Sequence, residues 1–348
     1  MSNTVPESVK KEQYVLKSTF FYNKLTTNGY FALFDQIQKL ALTDGETLDW
    51  SNRESWNISP AAWKIIEENQ LSPMLVFVHP KILKLNPTFL KYYRSIAMIP
   101  QKGLKALSHV SIVDEIEEGR IDLTRVSNNK VESLVSVLNE FISLVVNLSS
   151  GINENEIQGM MYATAGTNID GAWRNQIGNE GERVIRSIIF KELNSLYEIS
   201  SIVDKDLGVQ SVEEYDVQRY LTDISKIRTI NLVNGYSIYF SSEPDVTLFA
   251  PDSSIVGAIE IKAGLDPAGA LERLGAMFKS FENTLAEYPN AITILVISCI
   301  TDEVRKRLDA SLVVRQRFVT TDITSSDSEK RKFVNRLRVI MKLAAPSL

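Results

Sequence analysis

The sequence predicts an α/β (α+β) protein, with a mainly helical N-terminal region followed by a mixed four- to five-stranded sheet flanked by helices. Three observations lead there. The first 150 residues carry apolar residues at helical spacing and end in the strongly apolar stretch 131–148. Between residues 236 and 262 the apolar period drops to two, in three runs separated by turn residues. A helix-patterned stretch then leads to residues 291–300, a continuous apolar, β-branched run suited to a strand covered on both faces.

The elements follow in order. Residues 20–42 have apolar positions at mixed helical spacing. Ser59 is a good N-cap, with Pro60 at the first helical position. Residues 89–98 predict a helix after Pro87. Residues 131–148 are too apolar for a plain surface helix, so they belong in a core or a subunit interface, and Ser149-Ser150-Gly151 ends them. Residues 151–175 contain much Gly, Asn and Thr and read as a connecting segment, which divides the chain into domains 1–150 and 151–348. A helix follows over roughly 180–193.

Strands are expected at 236–240, 245–249 and 255–262, with turns at Asn234-Gly235, 241–244 and 250–254. Asp266 caps a helix with Pro267 at its first position, and Leu271, Leu274, Phe278, Phe281 and Leu285 form its apolar stripe. Pro289-Asn290 stops it before the 291–300 strand. Residues 301–308 and 328–343 predict helices, with a strand at 312–320 between them.

Composition excludes several function classes. With 348 residues and 44% hydrophobic content, the chain can build one large or two modest cores. The single cysteine, Cys299, lies in an apolar run and excludes both a disulfide framework and a Cys-based zinc site. The two histidines, His79 and His109, are too few for a histidine metal cluster and read as structural. The first residues lack the apolar stretch of a secretory signal. No unbroken apolar run approaches the roughly 20 residues of a membrane span. An intracellular protein without membrane attachment is the expectation. No phosphate-cradling G-x-x-x-x-G-K-[ST] loop or dinucleotide fingerprint is present, so no nucleotide cofactor is expected. Net charge is −5, yet residues 301–348 hold 11 Lys and Arg against 6 Asp and Glu. A basic end on an acidic body suits phosphate binding at one face, and solvated helix faces explain it equally well.

The chemistry concentrates in Glu243-Pro244-Asp245 and in Ala258-Ile259-Glu260-Ile261-Lys262. Strand period places Glu260 and Lys262 on one face, and pairing with the preceding strand brings Asp245 beside them. Two carboxylates make an oxygen-ligand site suited to Mg²⁺, and a lysine beside metal and phosphate orients the attacking water. The spacing itself has low specificity, and Pro251-Asp252 is a second Pro-Asp, placed in a turn. Context raises its weight. The charged pair ends an otherwise apolar strand, a capped amphipathic helix and a buried strand follow, and the helix beginning Glu180-Gly181-Glu182-Arg183 precedes the hairpin.

In order and content, residues 176–300 resemble the PD-(D/E)XK nuclease superfamily. The run AIEIKAGLDPAGALER at 258–273 resembles type II restriction endonucleases in particular. More loosely, so do residues 79–105 and Asp170-Gly171-Ala172-Trp173-Arg174-Asn175. Some relatives have glycine after the motif lysine, where this chain has Ala263. The resemblance implies a restriction-endonuclease-like core in which Asp245, Glu260 and the Ile261 carbonyl hold Mg²⁺ and Lys262 positions the water. Glu182 would bind a second metal or its waters, with helix N-terminal electrostatics as the plainer reading for it and for Glu180. It implies in-line cleavage of double-stranded DNA to 5′-phosphate and 3′-hydroxyl ends, by a homodimer that reads its target through the N-terminal region. Arg174 and Asn175, and less strongly Lys279, are candidate DNA contacts. For Tyr92-Tyr93-Arg94, packing is the more usual role. A structure-selective repair or junction-resolving nuclease, or a non-catalytic DNA-binding protein on the same scaffold, would share much of this pattern.

Overall fold

The computed structural model describes residues 7–149, 151–264 and 270–343. The chain forms two compact units, one of Val15–Trp173, the other of Arg174–Leu348 with the segment up to Tyr14.

The regular elements of the first unit are helices. They are α1 (Glu7–Thr27), α2 (Tyr30–Asp44), α3 (Pro60–Glu68), α4 (Pro73–Val76), α5 (Pro80–Leu85), α6 (Phe89–Ile96), α7 (Gln101–Ser108), α8 (Val113–Glu117), α9 (Asn128–Leu148) and the first part of α10 (Glu154–Ser195). The helically patterned stretch 20–42 falls in two helices, because Gly29 turns the chain with φ +71°. Ser59 caps α3 by accepting the Ala62 N–H. By length and composition α9 could cross a membrane. Here Val131, Leu134, Val135, Leu138, Ile142 and Val146 bury one face of it in the helical core. Its buried Asn139 satisfies the backbone of Val78, accepting the N–H at 2.7 Å and donating to the carbonyl at 2.9 Å.

Tyr92-Tyr93-Arg94 is a packing element, as expected. The two hydroxyls donate to the Leu75 and Met74 carbonyls, and buried Arg94 pairs with Glu117. His79 is structural too, wedged between the rings of Trp50 and Trp56.

Residues 151–175 do not form the expected connecting segment. They belong to α10, which is 42 residues long, and the division between units falls at Trp173 rather than at residue 150. Each glycine costs a helix about 1 kcal/mol relative to alanine. The apolar stripe Ile157, Met161, Ala165, Ile169 and Trp173, all buried, outweighs that penalty.

The second unit is built on an eight-stranded sheet rather than four or five strands, in the order β2-β1-β3-β4-β5-β6-β7-β8. The strands are β1 (Ile199–Asp204), β2 (Gly208–Ser211), β3 (Ile227–Leu232), β4 (Ser237–Phe240), β5 (Val246–Phe249), β6 (Ile255–Lys262), β7 (Ile292–Ile297) and β8 (Gln316–Val319). Pairing is antiparallel from β2 through β6 and parallel for β6–β7–β8. The helices are α11 (Val217–Thr222), α12 (Ala270–Glu287), α13 (Asp302–Ala310), α14 (Thr320–Ser325) and α15 (Asp327–Ile340). Asp266 and Pro267 lie outside the described residues.

Alternate residues separate two cores. Ile259, Ile261, Ile294 and Val296 pack with Ile185, Ile189 and Phe190 of α10 and with Phe333 and Leu337 of α15. Ala258, Leu295 and Ile297 pack on the opposite face with Leu274, Met277 and Phe281 of α12. The basic C-terminal stretch is largely engaged locally. Arg317, Lys330 and Lys332 pair with Asp309, Asp327 and Glu329. Buried Arg338 of α15 forks onto Glu198 just before β1, with Nε 2.8 and 3.0 Å from its oxygens.

That last pair generates a stability prediction. Glu198→Gln leaves the buried guanidinium without this counter-charge, which costs about 3–5 kcal/mol. The urea midpoint should fall by the corresponding amount with an unchanged slope.

Candidate active site

Asp245, Glu260 and Lys262 meet at the C-terminal end of β6. The register pairs Val246 with Ile259, so Asp245 lies opposite Glu260. Glu260 and Lys262 follow Ala258 in projecting toward the face covered by α12. Asp245 and Glu260 are 4% and 3% exposed, deep enough for solvent to screen little. The Lys262 ammonium donates to Glu260 and lies 3.5 Å from Asp245 Oδ2. Asp245 Oδ2 also accepts the Ile261 N–H at 2.6 Å. Oδ1 accepts no hydrogen bond from the described residues.

The electrostatics follow from burial. Burial pushes the Asp245 carboxyl above its usual range, and the Glu182 charge adds to this; Lys262 and the Ile261 N–H oppose it without prevailing. Burial likewise raises Glu260, reinforced by the Asp245 charge and opposed by Lys262 and Ser280. For Lys262, burial pulls its pKa down, and the two carboxylates more than reverse this, so the amine is held as ammonium.

Helix α10 approaches the end of β6 closely. A Cβ on Gly181 would lie 2.0 Å from the Ala263 Cβ, so the helix backbone rests on the residue after Lys262. The next residue, Glu182, pairs with Arg186 at 2.7 Å. Glu180 instead pairs with Arg183 on the surface. Arg186 also donates to the carbonyls of Ser241 and Asp245, at 2.9 and 3.4 Å, and its guanidinium lies over the Phe240 ring. It thereby ties both sides of the turn that carries Asp245 to the helix that carries Glu182.

Sequence reasoning missed Arg186 and Ser280. Arg186 had a signal, since it stands four residues after Glu182 on one helix. Ser280 of α12 is buried, its hydroxyl lacks a hydrogen bond of ordinary geometry, and it helps lower the Glu260 pKa. Arg174 and Asn175 are exposed on α10, roughly two turns before Glu182. Lys279 is exposed on α12.

The donor set suits Mg²⁺. Two carboxylates offer oxygen donors, and an incoming cation would offset the buried negative charge that raises both acids. Among the described residues, no group of three or more His, Cys, Asp or Glu side chains could hold a metal.

A family model described as XcyI restriction endonuclease matches residues 58–344, most of the chain. No curated protein matches.

Two predictions follow from the geometry. Gly181→Ala should destabilise the protein by about 1–3 kcal/mol through overpacking, and adding Ala263→Gly should restore much of the loss in a thermal melt. The second concerns pH. A carboxyl with a raised folded pKa keeps its proton where the unfolded chain has released it, so stability falls as pH rises through that window. Without divalent ions, Asp245→Asn should melt higher than the parent at neutral pH, and the gain should vanish in acid, where both states carry a protonated Asp245.

Proposed function

We propose that this chain, which belongs to the XcyI restriction endonuclease family, is a type II enzyme that cuts double-stranded DNA at a specific sequence with Mg²⁺, leaving 5′-phosphate and 3′-hydroxyl ends. Family membership makes it a DNA-binding nuclease. The finer reading rests on one observation: buried Asp245 and Glu260 converge with half-buried Lys262 at the end of β6, as the PD-(D/E)XK pattern requires.

Asp245 and Glu260 would hold the cation, with the Ile261 carbonyl. Bound there, Mg²⁺ would polarise the scissile phosphate and acidify a water. The Ile261 N–H fixes Asp245 through Oδ2, which keeps Oδ1 available. Lys262 orients the attacking water as an ammonium and offsets negative charge gathering on the phosphate. Arg186 holds the Asp245 turn through backbone carbonyls. Glu182 would serve a second ion or its waters only after releasing Arg186. Arg174, Asn175 and Lys279 are proposed to contact DNA phosphates. A two-fold homodimer acting in the cytoplasm would suit a palindromic target.

The test is incubation of the purified protein with several large DNAs and Mg²⁺. Discrete fragments are expected; a smear, or cutting confined to branched DNA, would sink the sequence-specific reading. Asp245→Ala and Glu260→Ala should abolish cutting with the fold intact, and Lys262→Met should slow it by about 10²–10³-fold.

A further inference from the structure

The helical unit contains a cavity of about 280 Å³ whose walls include Lys24, Tyr30, Lys91, Arg94 and Asn168. Its charges are unevenly matched. Glu117 is already committed, accepting from Arg94 through two nitrogens and from Gln101 at 2.6 Å. Glu118, on the rim, pairs with Arg120 at 2.5 Å. The two lysines have no such partner among the described residues. Lys91 reaches only the Asn28 carbonyl, at 3.3 Å, and lies 5.5 Å from the Tyr30 ring centre. Lys24 lies 5.5 Å from the ring centre of Phe20.

Neutral donors are also left over. Asn168 Nδ2 is buried and makes no hydrogen bond of ordinary geometry among the described residues, the Tyr30 oxygen being the acceptor it faces. Buried Tyr30 has its hydroxyl facing Arg94 and Asn168. Arg94 makes three hydrogen bonds, to Glu117 and the Ile99 carbonyl, and a guanidinium has five N–H groups. Burial pulls the Lys91 pKa down, and the Arg94 charge adds to this; the charges of Glu117 and Glu118 oppose it without prevailing.

We infer that this cavity is an anion site that takes one phosphoryl group. Surplus donors arrive from several directions, and a phosphoryl group offers three strong acceptor oxygens. Its volume, near the lower end for ligand pockets, fits a small oxyanion. The site is distinct from the acidic cluster on β6, and the inference goes beyond the nuclease reading. The phosphoryl group could belong to the DNA backbone or to a free anion, and the experiment separates these sources.

The full-length protein is compared with Lys91→Met, Lys24→Met and Asn168→Leu, each checked for fold by circular dichroism. Lys24→Met keeps the test alive if Lys91→Met misfolds. In the first arm, inorganic phosphate is titrated during thermal melts without divalent ions, against chloride at matched ionic strength. A free-anion site raises the melting temperature of the parent and loses that protection in the variants. In the second arm, DNA binding is measured across salt. A seated backbone phosphate makes the log–log slope shallower by about 1 in a lysine variant. Asn168→Leu removes no charge, so it should weaken binding without changing the slope. Either pattern supports the site. If phosphate protects the variants as well as the parent and their DNA binding is unchanged, the site is overturned, and a protein that still cuts DNA keeps its nuclease assignment.

Discussion

Two buried carboxylates share one ammonium, and the layout of the sheet unit serves to keep them there. Burial raises the proton affinity of both acids, and the charge of Asp245 raises that of Glu260 further, so the arrangement opposes folding unless the surroundings hold it. Three restraints do so. The Ile261 N–H fixes one oxygen of Asp245, Arg186 fixes the turn beneath it, and α10 closes on Ala263 through Gly181. With Lys262 as ammonium, the three side chains sum to one negative charge. A divalent ion would make that one positive, and a single phosphodiester would bring it to zero. On the proposed reading, cation and DNA therefore favour each other's binding.

Much of the fold was legible where the backbone kept its period. Strand β4 alternates regularly, β5 and β6 read as short apolar runs bounded by turn residues, and β6 was located to the residue. Strands β1 and β3 were missed for a physical reason. Their pairing shifts register twice, between Ile199 and Ser201 and between Val203 and Asp204. These irregularities leave buried Ile199 and Ile202, and likewise Ile227 and Ile230, three residues apart. That spacing belongs to no simple strand pattern. The misread segment 151–175 failed in the opposite way. Its glycines and asparagines lower helix propensity, and only the tertiary burial of a stripe four residues apart reverses that.

The site was legible to the extent that it lies on one hairpin. Asp245, Glu260 and Lys262 sit within a short stretch where strand geometry dictates proximity. Glu182 and its pairing four residues on with Arg186 could be read from their helix, yet the grip of Arg186 on the Asp245 turn could not, because that depends on where two carbonyls of a distant turn fall. Ser280 was hidden for a similar reason. A serine beside Phe281 in an amphipathic helix has nothing to mark it until the helix is docked over Glu260.

The sheet is wide, but its outer strands are meagre. β2 and β8 have four residues each, and β2 begins at Gly208 in a left-handed turn. Such short margins offer few free backbone groups for another chain to continue the ladder. A second copy would therefore have to join through side-chain surfaces rather than by extending the sheet, and the same brevity guards a broad β-structure against edge-to-edge aggregation.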